Sequence, residues 1–154
     1  LQNAQAFTVQ SLGGSDSLWV LDLSGVLRQS TGSGWHVLFG GVKRLVGHRF
    51  NGADTVFYLD VTGTLYSTTD GVHWNNQGGP YSTFEVATMA GRDFLFALQT
   101  NRQLIGSVGQ GWYPIDGNVK QLYQLSYLGS PLVQYVRFDR KFFSTVDGFT
   151  WNLG

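Results

Sequence analysis

Trp35, Trp74, Trp112 and Trp151 fall 39, 38 and 39 residues apart. Gly14, Gly52, Gly91 and Gly129 keep the same beat, at 38, 39 and 38. Two markers in phase mean that one supersecondary unit is used four times, which fixes the architecture ahead of any site. The units run over about residues 5–41, 42–80, 81–118 and 119–154. Units one and three share S-x-G-x-G-W, from Ser30 to Trp35 and from Ser107 to Trp112. Units two and four share S-T-x-D-G-x-x-W, from Ser67 to Trp74 and from Ser144 to Trp151. The alternation reads as a duplicated two-unit block.

Inside each unit the apolar residues recur with the period of strands, and helical periodicity is absent. A first run ends at a glycine turn. A second, rich in branched and aromatic residues, follows at Leu18–Leu21, Val56–Leu59, Leu95–Leu98 and Val133–Val136, a composition suited to a covered strand. Next comes a D-x-x-G turn in the first two units, Asp22 to Gly25 and Asp60 to Gly63, where Asp bonds the amides ahead and Gly takes positive φ. Units three and four carry Arg102 and Arg140 in place of that glycine. Their left-handed position is expected to move onto Asn101 and Asp139, which tolerate it better. A third strand then leads to a turn, and tryptophan opens the fourth.

One such sheet of under about 40 residues cannot bury both faces alone, but four set radially cover one another. The expected fold is therefore all-β: a β-propeller with four blades of four antiparallel strands, occupying residues 1–154 as a single domain. A sandwich or solenoid is the competing architecture, and it would require the units to differ. The ring is expected to close within one chain, with Phe7, Leu12 and Trp19 facing Tyr135 and Phe142. Self-association or attachment to a parent chain is the expected context, since the sequence starts at Leu1 rather than methionine.

Charge narrows the function classes. Ten basic residues balance ten acidic ones, so nothing in the overall balance suggests nucleic-acid binding. Charged residues make up only 13%, about half the usual share. The absence of cysteine removes disulfides, thiolate zinc sites and cysteine nucleophiles. No apolar run approaches the roughly 20 residues of a membrane helix. His36, His48 and His73 do not pair at ligand spacing, so neither a metal nor another cofactor is expected.

The segments S-T-T-D-G-V-H-W (Ser67 to Trp74) and S-T-V-D-G-F-T-W (Ser144 to Trp151) resemble the Asp-box, or bacterial neuraminidase repeat. The aspartates Asp70 and Asp147 sit one place later than in its usual form, and units one and three lack them. The D-x-x-G-x-L turns, Asp22 to Leu27 and Asp60 to Leu65, are similar to tectonin repeats of sugar-binding propellers. The Asp-box resemblance implies a structural role for Ser67, Asp70, Gly71 and Trp74, and for Ser144, Asp147, Gly148 and Trp151. Trp35 and Trp112 share it by position, so four equivalent and mostly buried rings are expected.

Sialidases are among the proteins with such boxes, but their site needs an arginine cluster, a tyrosine with a glutamate partner, and an acid. This chain has a single glutamate, Glu85, and a glycosidase of the ordinary kind wants two opposed carboxylates. No catalysis is expected. A neutral, aromatic, rigid surface suits sugars, which stack on rings and meet Asn, Gln, Asp and Arg with their hydroxyls. The candidate ligand residues are Asn75, Asn76, Tyr113 and Asp116 with Arg102 and Arg140. The expected function is carbohydrate binding of lectin type, extracellular or at a cell or virion surface. The rival class is a structural or protein-interaction module, such as an adhesin tip or virion component, whose partner is another protein.

Overall fold

The computed structural model describes residues 3–154. These residues form four antiparallel four-stranded sheets and no helix. None of their segments is a helix long and apolar enough to cross a membrane. Each sheet is a meander in chain order. The first comprises β1 (Ala4–Leu12), β2 (Ser15–Asp22), β3 (Leu27–Ser30) and β4 (His36–Phe39). The second comprises β5 (Val42–Phe50), β6 (Ala53–Asp60), β7 (Leu65–Thr68) and β8 (Asn75–Asn76). The third runs through β9 (Tyr81–Met89), β10 (Arg92–Gln99), β11 (Leu104–Ser107) and β12 (Trp112–Asp116). The fourth holds β13 (Val119–Tyr127), β14 (Ser130–Arg137), β15 (Phe142–Thr145) and β16 (Asn152–Leu153). By contact the chain falls into two compact units, Leu1–Pro80 and Tyr81–Gly154, each holding two of these sheets.

Two backbone devices set the register. Every first hairpin turns on two consecutive residues of positive φ: Gly13-Gly14, Asn51-Gly52, Ala90-Gly91 and Leu128-Gly129. That is the signature of the tight turn whose twist matches the flanking strands. Every second hairpin turns on a residue with φ between 68° and 87°: Gly25, Gly63, Arg102 and Arg140. The left-handed position therefore stays on the arginines, contrary to the expected shift onto Asn101 and Asp139. Its cause is the register. Arg102 N donates to Gln99 O and Arg140 N to Arg137 O, just as Gly25 N donates to Asp22 O. This closed turn admits no other residue at the left-handed place.

In the first unit, Leu12, Trp19, Leu21 and Leu27 of one sheet bury against Val42, Leu45, Val56 and Tyr58 of the next. Trp74 completes the layer, edge-on to Trp19 with ring centroids 5.8 Å apart. Gly47 lets β5 approach β1, because a Cβ there would overlap the Thr8 hydroxyl. The second unit repeats the scheme. Phe94, Phe96, Leu98 and Leu104 meet Val119, Leu122, Val133 and Tyr135, with Trp151 edge-on to Phe96 at 5.7 Å. Leu12 and Trp19 lie in the first unit's core and Tyr135 in the second's. Phe7 and Phe142 are exposed.

Candidate functional site

The box turns are built by threonine and aspartate. In the first unit Asp70 Oδ1 accepts the amides of Val72 and His73, both at 2.8 Å, while Gly71 N donates to Thr68 Oγ1 at 2.9 Å. In the second, Asp147 Oδ1 accepts the amides of Phe149 (2.9 Å) and Thr150 (2.7 Å), and Gly148 N donates to Thr145 Oγ1 at 2.8 Å. His73 Nδ1 stands 2.7 Å from Asp70 Oδ2. That contact, with the two amides, holds the Asp70 carboxyl well below the usual carboxylate range. The amides of Thr150 and Phe149 hold Asp147 down to about 2. These aspartates are used by the fold. Thr68 and Thr145, both buried, supply the capping hydroxyls of these turns. Ser67 Oγ instead accepts from Gln77 Nε2 at 2.8 Å.

The tryptophans are less alike than the spacing suggests. Trp74, Trp112 and Trp151 are partly buried, whereas Trp35 is 42% exposed. Trp74 stands against Trp19, Phe39 and Tyr58, and Trp151 against Phe96 and Tyr135. Trp112 meets Tyr81 at 5.6 Å.

The candidate ligand residues divide between the units. Asn75 and Asn76 form the exposed outer strand of the second sheet. Asn76 lines an open hollow of about 480 Å³ with Thr62, Thr64, Gly78, Gly79 and Pro80. Its Oδ1 accepts the amide of Gly78 at 2.7 Å. In the second unit the turns after β10 and β14 are stapled together with the linker between the two sheets. Val119 N donates to Arg102 O and Phe138 N to Asn118 O, each at 3.1 Å. The staple brings Arg102, Asp116 and Arg140 to one end of that unit. There the Arg102 guanidinium lies over the exposed ring of Phe138, 5.3 Å from its centroid.

Asp116 and Tyr113 serve the fold at this end. Asp116 Oδ2 accepts from the Tyr135 hydroxyl at 2.8 Å and stands 3.8 Å from Arg137. Burial first, and this bond second, raise the Tyr135 phenol well above its ordinary range. The Tyr113 ring packs over Gly106, where a Cβ would fall 2.6 Å from its Cζ. Its hydroxyl is buried without a hydrogen-bond partner. Arg102 and Arg140 are the candidates left facing solvent there, and Phe138 is a member that sequence reasoning missed. A phenylalanine two places before a turn arginine was its only signal.

The equivalent turns of the first unit have the opposite character. Asp22 Oδ1 accepts from the Ser24 hydroxyl and the Ser24 and Val26 amides, which brings its carboxyl down to about 2. Asp60 Oδ1 accepts from the Thr62 hydroxyl and from the Thr62 and Thr64 amides. Among the described residues no group of three His, Asp or Glu side chains converges to hold a metal ion.

No family model matches this sequence, and no curated protein matches it. Among solved structures, the N-terminal domain of Nup159 is similar over 96% of this chain and 47% of its own, at 13% identity and a TM-score of 0.54. A mutant of AofleA from Arthrobotrys oligospora is similar over 95% of this chain and 54% of its own, at 16% identity and a TM-score of 0.43. Both are β-propellers. The chain spans about half the length of the solved structures it matches, and its fold is that of propeller blades.

Proposed function

We propose that the chain is a non-catalytic binding module for glycans, acting where glycans are displayed, outside a cell or on a virion. The observation that carries this reading is the pair Arg102 and Arg140. Both hold the left-handed backbone that glycine occupies in the other two blades, at a cost of roughly 1–2 kcal/mol each. No stability is recovered by burying them, since both side chains face solvent. Strain kept at an exposed position points to use. An exposed aromatic ring with a guanidinium across it offers an apolar face for a sugar ring and planar donors for its hydroxyls or a carboxylate.

Absence of catalysis is part of the proposal. Asp22, Asp60, Asp70, Asp139 and Asp147 accept amides of their own turns. Asp54 accepts from Ser11 N and Arg49, and Asp116 from Tyr135. Carboxylates committed in this way are poor acids and bases for glycoside hydrolysis.

A glycan array probed with the wild type and with the double variant Arg102→Gly, Arg140→Gly tests the reading. The expected result is binding to a subset of glycans that the double variant loses while remaining folded. A blank array for the wild type removes the glycan reading and leaves the protein-interaction module. Binding retained in full by the variant removes the site.

A further inference from the structure

The second hairpin of every sheet closes by the same backbone bonds, so its positions can be matched between the two units. Gly25 N donates to Asp22 O and Gly63 N to Asp60 O, as Arg102 N donates to Gln99 O and Arg140 N to Arg137 O. Val26 O and Thr64 O accept from Asp22 N and Asp60 N, as Gln103 O and Lys141 O accept from Gln99 N and Arg137 N. Residues 22–26 and 60–64 of the first unit are therefore the counterparts of residues 99–103 and 137–141 of the second.

Charge is reversed between these matched turns. The pair in the first unit holds two acidic residues, Asp22 and Asp60, and no basic one, a net charge of −2. The pair in the second unit holds four basic residues, Arg102, Arg137, Arg140 and Lys141, against one acidic residue, Asp139, a net charge of +3. Arg137 stands in the place of Asp60 itself. The turn closes with either sign, so the turn does not demand the sign. In a chain with no net charge and only 13% charged residues, this concentration makes a local positive field.

The carboxylates at this end are already occupied. Asp116 accepts from Gly117 N and from the Tyr135 hydroxyl, and its Oδ2 stands 3.8 Å from Arg137 Nη1. Asp139 accepts the Lys141 amide and stands 3.9 Å from Arg137 Nε and 4.0 Å from Lys141 Nζ. Among the described residues neither Arg102 nor Arg140 has a carboxylate partner. Two exposed guanidinium groups are left without a protein anion, and one of them lies across the exposed ring of Phe138.

We infer that this end of the second unit selects acidic glycans, those carrying carboxylate or sulfate groups, over neutral ones. The inference rests on the glycan-binding reading above and adds the charge class of the ligand. A guanidinium presents parallel N–H groups that match two oxygens of one oxyanion, a geometry that separate neutral hydroxyls do not fill. Arg137 is held by Asp116 and Asp139, which leaves Arg102 and Arg140 as the pair that meets the oxyanion, with Phe138 beneath the sugar ring. A nucleic acid carries an oxyanion at every nucleotide and is matched by cations along its length. The two unpaired arginines are confined to one pair of turns, which suits a ligand with isolated charges.

The test measures affinity for a hyaluronan oligosaccharide (carboxylates only), a dextran sulfate oligosaccharide (sulfates only), the neutral members of the glycan array and a thymidine oligonucleotide of matched charge. The wild type is expected to bind one of the two acidic oligosaccharides at least roughly tenfold more tightly than any neutral glycan. Which of the two it prefers tells carboxylate from sulfate. That binding should weaken as salt rises from about 50 to about 500 mM. The double variant Arg102→Gln, Arg140→Gln should lose the preference with its circular dichroism unchanged. Arg92→Gln, the same loss of charge at the opposite end of β10, should keep it. Neutral glycans bound as tightly as acidic ones would overturn the selectivity and leave the glycan reading standing, whereas no glycan bound at all would overturn both. An oligonucleotide bound as tightly as the acidic oligosaccharides would overturn the choice of a sugar. A preference that survives the double variant, or that Arg92→Gln also abolishes, would overturn the assignment to this pair.

Discussion

Trp74 stands edge-on to Trp19, with ring centroids 5.8 Å apart and planes at 83°. The later sheet thereby sets the box tryptophan against the central strand of the earlier one. Phe39 and Tyr58 close on the same indole at 5.6 and 4.9 Å. Truncating it empties an aromatic cluster that the surroundings cannot refill. Trp74→Ala should cost about 3–5 kcal/mol, the range for large core aromatics. Trp35→Ala, at the equivalent but exposed position, should cost about 1 kcal/mol or less. Urea unfolding of both variants supplies the comparison, and equal losses would show that the two rings share one environment after all.

Gly148 should be the least replaceable glycine of the box turns. Its φ is 82°, and a Cβ there would run into the ring of Phe94. Gly91 has a similar φ of 74° but open space around it. Gly91→Ala should therefore cost only the left-handed penalty of about 1–2 kcal/mol. Gly148→Ala adds displacement of a fully buried ring and should lose more than about 3 kcal/mol. Denaturant midpoints at matched slope give the answer; a smaller loss at Gly148 than at Gly91 would mean the Phe94 ring moves freely.

The repeat, the strands and the meander order were legible because two periodic markers and a period-two pattern survive in sequence. Trp74 and Trp151 could be placed at the head of their strands for the same reason. What Trp35 would touch could not be read, since that depends on whether a sheet lies behind it. The left-handed arginines were misplaced because residue preference favours Asn101 and Asp139, whereas the hydrogen bond closing the turn decides the position. Thr68 and Thr145 were overlooked because the motif was anchored on the neighbouring serines. Tyr113 looked like a binding residue in a polar loop. Only the pairing of Tyr113 with Gly106 shows that its ring lies over the glycine.

Leu128 opens the β13–β14 turn with φ 50° and 89% of its surface exposed. Asn51 holds the same place in the second sheet at the same φ, and Asn-Gly is the preferred pair for this turn. Leu128→Asn should raise stability by about 0.5–1 kcal/mol, as other turn repairs do. It removes apolar surface without touching the core. A drop in the unfolding midpoint would show that this left-handed place does not favour asparagine over leucine.

Arg102→Gly and Arg140→Gly should move stability and binding in opposite directions. Glycine relieves the left-handed strain but loosens the unfolded chain, leaving a net gain of about 1 kcal/mol or less per site. Glycan binding falls in the same variants. Thermal melts beside the array separate a site from a fold defect: loss of both stability and binding would recast the arginines as structural.

Acid should weaken the fold through its turn aspartates. In the folded chain Asp22 and Asp147 titrate near 2, below the ordinary 3.8, and Asp70 is lowered by its bonds to His73 and Val72. Carboxyls that titrate lower when folded leave the unfolded chain holding more protons in the window between the two values. Stability from these groups is therefore complete above about pH 5 and is lost as the pH falls from about 4 to about 2. Unfolding midpoints should be flat from about pH 7 to about pH 5 and then decline. Asp147→Asn should flatten part of that decline, since an amide oxygen still accepts from Phe149 and Thr150 but no longer titrates. A midpoint that rises on acidification, or a decline centred above about pH 5, would assign the acid response to other groups.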